Sequence, residues 1–242
     1  TQTTLTDGWR FTKGAATDGA DWQQVKVPHD WAIYGPFSRD NDLQTVAVEQ
    51  NGETVPTEKT GRTGGLPFIG KGSYRTTFEV ADTASRAVTI LFDGAMSNAH
   101  VKVNGKEVAQ WPYGYNSFYV DVTPEVVPGT NTLEVSLENY ERASRWYPGA
   151  GLYRNVHVIE TDRVHVPVWG TYVTTPNVSA DESTVKLTTE IEGLAKGDKI
   201  SVVTYIKSPS GEIVARDSSL YVAHGQSFTQ LFNVEHPQLW SL

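Results

Sequence analysis

Val101-Lys102-Val103-Asn104-Gly105-Lys106-Glu107-Val108 decides the fold. Apolar and polar residues alternate on both sides of Asn104-Gly105, the period of a strand with one face buried. Asn-Gly supplies the two positive φ angles of a type I′ turn, so the stretch predicts a β-hairpin. The same period runs outward in both directions. Tyr74, Thr76, Phe78 and Val80 share one face, as do Val88, Ile90 and Phe92; then Phe118, Val120 and Val122; then Leu133, Val135 and Leu137; then Val156 and Val158. Each run is short and bounded by Gly, Pro, Asn or Asp. No stretch sustains a helical i, i+3, i+4, i+7 stripe, so the chain is expected to be all-β.

Near residue 162 the style changes. The first part is rich in Trp and Tyr, and its long connections suit a two-sheet jelly roll. From Val164 the chain reads as plain alternating strands: Val164, Val166 and Val168; Val185 and Leu187; Ile200, Val202, Thr204 and Ile206; Leu220 and Val222; Phe228, Phe232 and Val234. That is the style of an immunoglobulin-like sandwich. The expected division is 1–162 and 163–242, with the second part short of the roughly 100 residues such a sandwich needs. Residues 36–72 carry no dependable strand pattern and read as a long functional or mobile connection.

Composition removes several function classes. The 242 residues carry a formal net charge of −8, with 20 Lys and Arg against 28 Asp and Glu. Nucleic acid is an improbable partner for such a chain, because binding it rests on displacing counterions with basic residues. No apolar run reaches the roughly 20 residues of a membrane helix. There is no Cys, which excludes disulfides, thiol nucleophiles and Cys-based zinc sites. The polar start Thr1-Gln2-Thr3-Thr4 suits a mature terminus after export or a trimmed one, and a periplasmic or secreted location is expected. No cofactor is indicated. The six His show no ligand spacing; a metal assembled from distant acids would be Ca²⁺, since only oxygen ligands are plentiful.

Two clusters hold the chemistry: Trp111-Pro112-Tyr113-Gly114-Tyr115-Asn116-Ser117-Phe118-Tyr119 and Arg145-Trp146-Tyr147-Pro148-Gly149-Ala150-Gly151-Leu152-Tyr153-Arg154. Aromatic faces stack on the C–H faces of sugar rings, while amides and guanidinium groups bond the hydroxyls. The plainer alternative is that these rings fill the sandwich and its corners. Arg145, Trp146, Tyr147, Tyr113 and Tyr115 are the candidate substrate-binding residues. Glycosidic hydrolysis needs two carboxylates flanking the scissile bond. The acids here are scattered over polar strand faces, as Glu134 is between Leu133 and Val135, and none is assigned a catalytic role.

Taken in order, Val27-Pro28-His29-Asp30-Trp31, Val103-Asn104-Gly105-Lys106, Tyr113-Gly114-Tyr115-Asn116-Ser117-Phe118 and Ser144 through Val156 closely resemble the N-terminal sugar-binding domain of glycoside hydrolase family two. The look is that of bacterial β-galactosidases of the Bacteroides kind. The stretches Asp42-Leu43-Gln44 and Glu58-Lys59-Thr60-Gly61-Arg62-Thr63-Gly64 share the likeness. So does Pro237-Gln238-Leu239-Trp240-Ser241, which resembles the segment ahead of the closing strands of the family's immunoglobulin-like domain. The resemblance implies a jelly-roll galactose-binding-like β-sandwich followed by a truncated immunoglobulin-like β-sandwich, with the catalytic (β/α)₈ barrel absent. It further implies the non-catalytic part of a retaining exo-β-glycosidase, whose substrate is a β-galactoside or related glycoside bound in the full-length enzyme. Many family members carry an Asp about five residues before the Gly of their Gly-hydrophobic-aromatic-Arg motif. Counting back from Gly151 reaches Arg145 or Trp146, so an Arg donor replaces that carboxylate. Arg154 matches the motif's own Arg, expected to be held by a carboxylate or carbonyls.

Two other readings compete. A free-standing carbohydrate-binding module would use the same rings without any barrel. A structural module would dock other domains or form a homo-oligomer through unpaired strand edges.

Overall fold

Lys71↔Glu138 through Val80↔Gly129 is an unbroken antiparallel register, and it forms the spine of the first unit. The computed structural model describes all residues except 18, 39–40, 42, 47–56, 61–67, 69, 141–148 and 241–242. The chain divides into two compact units, Thr1–Thr161 and Asp162–Leu242.

The first unit contains β1 (Gln2–Thr4), β2 (Trp9–Lys13), β3 (Gln23–Val25), a 3₁₀ turn (Trp31–Tyr34), β4 (Leu43–Val46), β5 (Thr57–Thr60) and β6 (Lys71–Val80). It continues through β7 (Arg86–Phe92), β8 (Ala99–Val103), β9 (Lys106–Trp111), β10 (Phe118–Asp121), β11 (Gly129–Glu138) and β12 (Val156–Asp162). A six-stranded sheet runs β3-β2-β6-β11-β8-β9 and a four-stranded one β1-β12-β7-β10. Their inner faces meet in one core. Trp9, Phe11, Tyr74, Phe78, Leu133 and Val135 come from the first sheet; Val88, Ile90, Phe92, Phe118, Val120, Val156 and Val158 come from the second. Alternation explains the selection, since successive side chains of a strand leave opposite faces. The hairpin forms as expected, with Asn104 at φ 51 and Gly105 at φ 82 between β8 and β9.

β1 lies beside β12, with Gln2 opposite Ile159 and Thr4 opposite His157. His157 is 8% exposed. Its Nδ1 lies 2.9 Å from Thr4 Oγ1 and its Nε2 3.1 Å from Asp93 Oδ2. A largely buried ring so partnered fixes where the first strand lies.

The second unit holds β13 (Thr171–Val178), β14 (Glu182–Glu190), β15 (Lys199–Lys207), β16 (Ile213–Val222) and β17 (Ser227–Glu235). β13-β14-β17 form one sheet and β15-β16 another. The architecture is thus all-β, in stacked sheets. No helix among the described residues is long and apolar enough to cross a membrane.

Two expectations are corrected. Val164–Val168 is not a strand; His165 makes an isolated bridge to Glu192 while Val164 and Val166 stay exposed. Pro167 has no N–H to offer a ladder, and the Gly170 amide donates to its carbonyl at 2.9 Å, closing a turn with Trp169 at φ 59. Within 36–72, β4 pairs with β5, Leu43 opposite Thr60. Thr and Val suit a strand, but neither Leu43-Gln44-Thr45-Val46 nor Thr57-Glu58-Lys59-Thr60 alternates apolar with polar residues, so the period gives no signal.

Candidate functional site

One end of the first unit is built where the segment 27–37, the turn 93–98, the loop 112–117 and residues 139–140 and 149–155 converge. Asp30 organises it. Its Oδ1 accepts the amide of Ala32 at 2.9 Å, capping the 3₁₀ turn, and the amide of Ala150 at 3.0 Å. The backbone adds two bonds: His29 N–H to Leu152 O at 2.7 Å and Trp31 N–H to Ala150 O at 3.2 Å. Gly149 (φ 75) and Gly151 (φ 105) take left-handed conformations that favour glycine. A Cβ on Gly151 would collide with the Tyr74 hydroxyl and the His29 carbonyl. On the other side, buried Asn139 donates from Nδ2 to Gly149 O at 2.7 Å and from its amide to Gly70 O at 2.9 Å. Ser97 Oγ holds Glu138 O at 2.9 Å. Both roots of segment 141–148 are therefore fixed. Arg145, Trp146 and Tyr147 themselves lie outside the described residues.

The other cluster is joined to this base. Met96 and Gly151 exchange two backbone hydrogen bonds, each 2.9 Å. Tyr153 Oη donates to Gly114 O at 2.8 Å, and Gly114 passes so close to Met96 that a Cβ would strike its sulfur. The Tyr113 and Tyr115 rings, 54% and 49% exposed, stand 5.5 Å apart and tilted by 58°. Burial raises the Tyr153 hydroxyl pKa, opposed by Arg154, with Tyr115 and Tyr113 adding to the rise. Trp111 does not join them; its ring stacks on buried Phe118 at 5.2 Å. Arg154 lies over the Tyr153 ring, 5.9 Å from its centroid. A carboxylate or backbone carbonyls were expected to hold that guanidinium; the contact seen among the described residues is this aromatic one.

A third feature escaped the sequence reading. The His29 ring stacks on Tyr34 at 5.5 Å and 15°, and Tyr34 is 71% exposed. Beside them opens a groove of about 840 Å³ lined by Phe11, Lys13, Pro28, His29, Trp31 and Tyr34. Burial lowers the His29 pKa, against the pull of Asp30, which favours the neutral ring that sits 2.8 Å from Tyr74 Oη. Lys13 donates to Gly35 O at 2.5 Å, and desolvation lowers its pKa. The motif His29-Asp30-Trp31 was visible; only the fold shows that the next turn presents Tyr34 on top of it.

The arrangement offers rigid rings and hydrogen-bonding groups suited to a polyhydroxylated ligand. Among the described residues no group of three His, Asp or Glu could hold a metal ion.

Comparison with known proteins agrees with this layout. Residues 68–166 match the family described as glycosyl hydrolase 2 galactose-binding domain-like. The β-galactosidase BoGH2A of Bacteroides ovatus is 36% identical over 249 residues, covering 97% of this chain and 27% of that protein. A β-glucuronidase of Formosa agariphila is 26% identical over 266 residues, covering 96% of this chain and 26% of its own length. Among solved structures, a glycosyl hydrolase family 2 member from Bacteroides cellulosilyticus superposes with a TM-score of 0.83 at 29% identity, over 99% of this chain and 31% of that one. A β-glycosidase from Bacteroides vulgatus gives 0.79 at 29% identity, over 100% of this chain and 30% of its own. The chain spans 27% of the first of these relatives and 31% of the first solved structure. Residues 68–166, the larger part of the first unit, thus match the galactose-binding-like domain of glycoside hydrolase family 2.

Proposed function

We propose that the chain acts as a non-catalytic part of a larger retaining exo-β-glycosidase that removes terminal β-galactosides. Its ring-bearing loops shape the substrate pocket, and its sheets brace a catalytic barrel carried elsewhere in the enzyme. Residues 163–242 contribute an immunoglobulin-like sandwich to that brace. The carrying observation is the clamp on segment 141–148: Asp30 holds Ala150 and Asn139 holds Gly149. The stretch between those roots holds the candidate substrate-binding residues Arg145, Trp146 and Tyr147. The 36% identity to the Bacteroides ovatus β-galactosidase over nearly the whole chain supports the galactoside preference.

The test is nitrophenyl β-galactoside hydrolysis. The 242-residue chain alone should release no nitrophenol, and its fusion to the catalytic barrel of the Bacteroides ovatus enzyme should. Deleting residues 141–148 from that fusion should cost activity. Turnover by the chain alone, or an unaffected deletion, sinks the reading. The exposed Tyr113–Tyr115 pair favours a second reading, a carbohydrate-binding module that works without a barrel. It predicts a change in tryptophan fluorescence on adding free galactosides, and a flat response counts against it.

A further inference from the structure

Away from the loops just described, the outward face of β6, β11 and β8 is hollow rather than flat. Ser73 and Ser136 face each other across β6 and β11, and Ser136 is opposite His100 on β8. The two small serines leave a depression of about 410 Å³, walled on one side by Gly14, Ala15 and Ala16. That volume lies within the roughly 300–1,000 Å³ of small-molecule sites. The wall is fixed: Ser73 Oγ donates to Gly14 O at 2.8 Å, and the Gly14 amide donates to Lys71 O at 2.8 Å.

The rim is charged but balanced. Each carboxylate has a basic neighbour: Glu138 has Lys71 at 3.5 Å, Glu134 has Arg75 at 3.4 Å, and Glu107 has His100 at 3.1 Å. Arg75 is steadied by lying over the Trp22 ring at 5.0 Å. Paired carboxylates have little left to offer a bare cation, and the acids repel an anion. Alternating acceptors and donors around a small-residue floor suit a ligand that presents many hydroxyls and no charge.

We propose that this hollow is a binding site for a neutral mono- or disaccharide, independent of the ring-bearing loops. Such a site would keep the protein on a glycan. The inference does not depend on the barrel, so its test is separate from that of the hydrolytic reading.

The test is calorimetric and NMR titration of the 242-residue chain with lactose, cellobiose and mannobiose. At least one should bind with a Kd on the order of 1 mM, shifting the amides of Ser73, His100 and Ser136. Ser136→Arg, which fills the floor from an exposed position, should weaken binding about tenfold or more, while Thr89→Ala, on β7 of the other sheet, leaves it unchanged. Glu134→Gln serves as the second variant should Ser136→Arg fail to fold, with the same direction expected. The proposal is overturned by no heat and no shifts up to about 50 mM of all three sugars, by shifts confined to Tyr113–Ser117, or by binding that Ser136→Arg and Glu134→Gln leave intact.

Discussion

The Asp30 carboxylate accepts the amide of Ala150 at 3.0 Å across 120 positions of sequence. The same oxygen caps the turn at Ala32. One side chain thus fixes both the segment that presents Tyr34 and one root of segment 141–148.

Replacing it should be expensive. Asp30→Ala leaves two amides without their acceptor and should cost about 2–3 kcal/mol, the scale of hydrogen bonds to a charged group. Asp30→Asn, which keeps an acceptor oxygen, should cost less. Urea unfolding of the three proteins measures the order, and equal midpoints for all three would remove Asp30 from this role.

Gly151 and Gly197 separate conformational strain from collision. Both have positive φ, 105 and 92, but a Cβ meets nothing within 4 Å at Gly197. Gly197→Ala should cost about 1–3 kcal/mol, the range for a strained backbone conformation. Gly151→Ala adds the clash with Tyr74 and His29, and should lower the melting temperature much further. Similar melting temperatures would show that the Tyr74 ring gives way.

Acid should loosen the His29 corner. Its folded pKa lies below the ordinary 6.5, chiefly from burial, so the unfolded chain binds the proton more readily. The stability contributed by the neutral ring is full above about 6.5 and is lost as pH falls through the lower folded value. Wild type should therefore lose more stability than His29→Gln between about pH 7 and 5. Parallel pH profiles would refute this.

Tyr113→Ala and Tyr115→Ala should change folding stability by no more than about 0.5 kcal/mol, as exposed substitutions do. In the barrel fusion they should raise KM for the galactoside, with kcat less affected. A loss above about 2 kcal/mol would place these rings in the packing instead.

Local signals carried the architecture. Asn104-Gly105 fixed a hairpin, and alternation at Tyr74–Val80 and Leu133–Leu137 picked the buried face, because strand period and turn chemistry are written in neighbouring residues. The same logic misread Val164–Val168, where Pro167 breaks the ladder that alternation implied. Motifs pointed to both aromatic clusters. Their connection through Tyr153 and Gly114, and the clamps from Asp30 and Asn139, are bonds between residues distant in sequence. No local pattern encodes which carbonyl a buried Asn will meet. Tyr34 was passed over for a similar reason: its importance lies in resting on His29, and adjacency in space has no periodicity.

β1 and β12, the first and last strands of the leading unit, are neighbours in one sheet. Its polypeptide therefore closes almost into a circuit, and entry and exit cost the sandwich no long connector. Such a module can be moved, inserted or reopened elsewhere with its core intact. A permuted version joining Thr1 to Thr161 through a short flexible link, and opened between Asn104 and Gly105, would still have every strand beside its present neighbours.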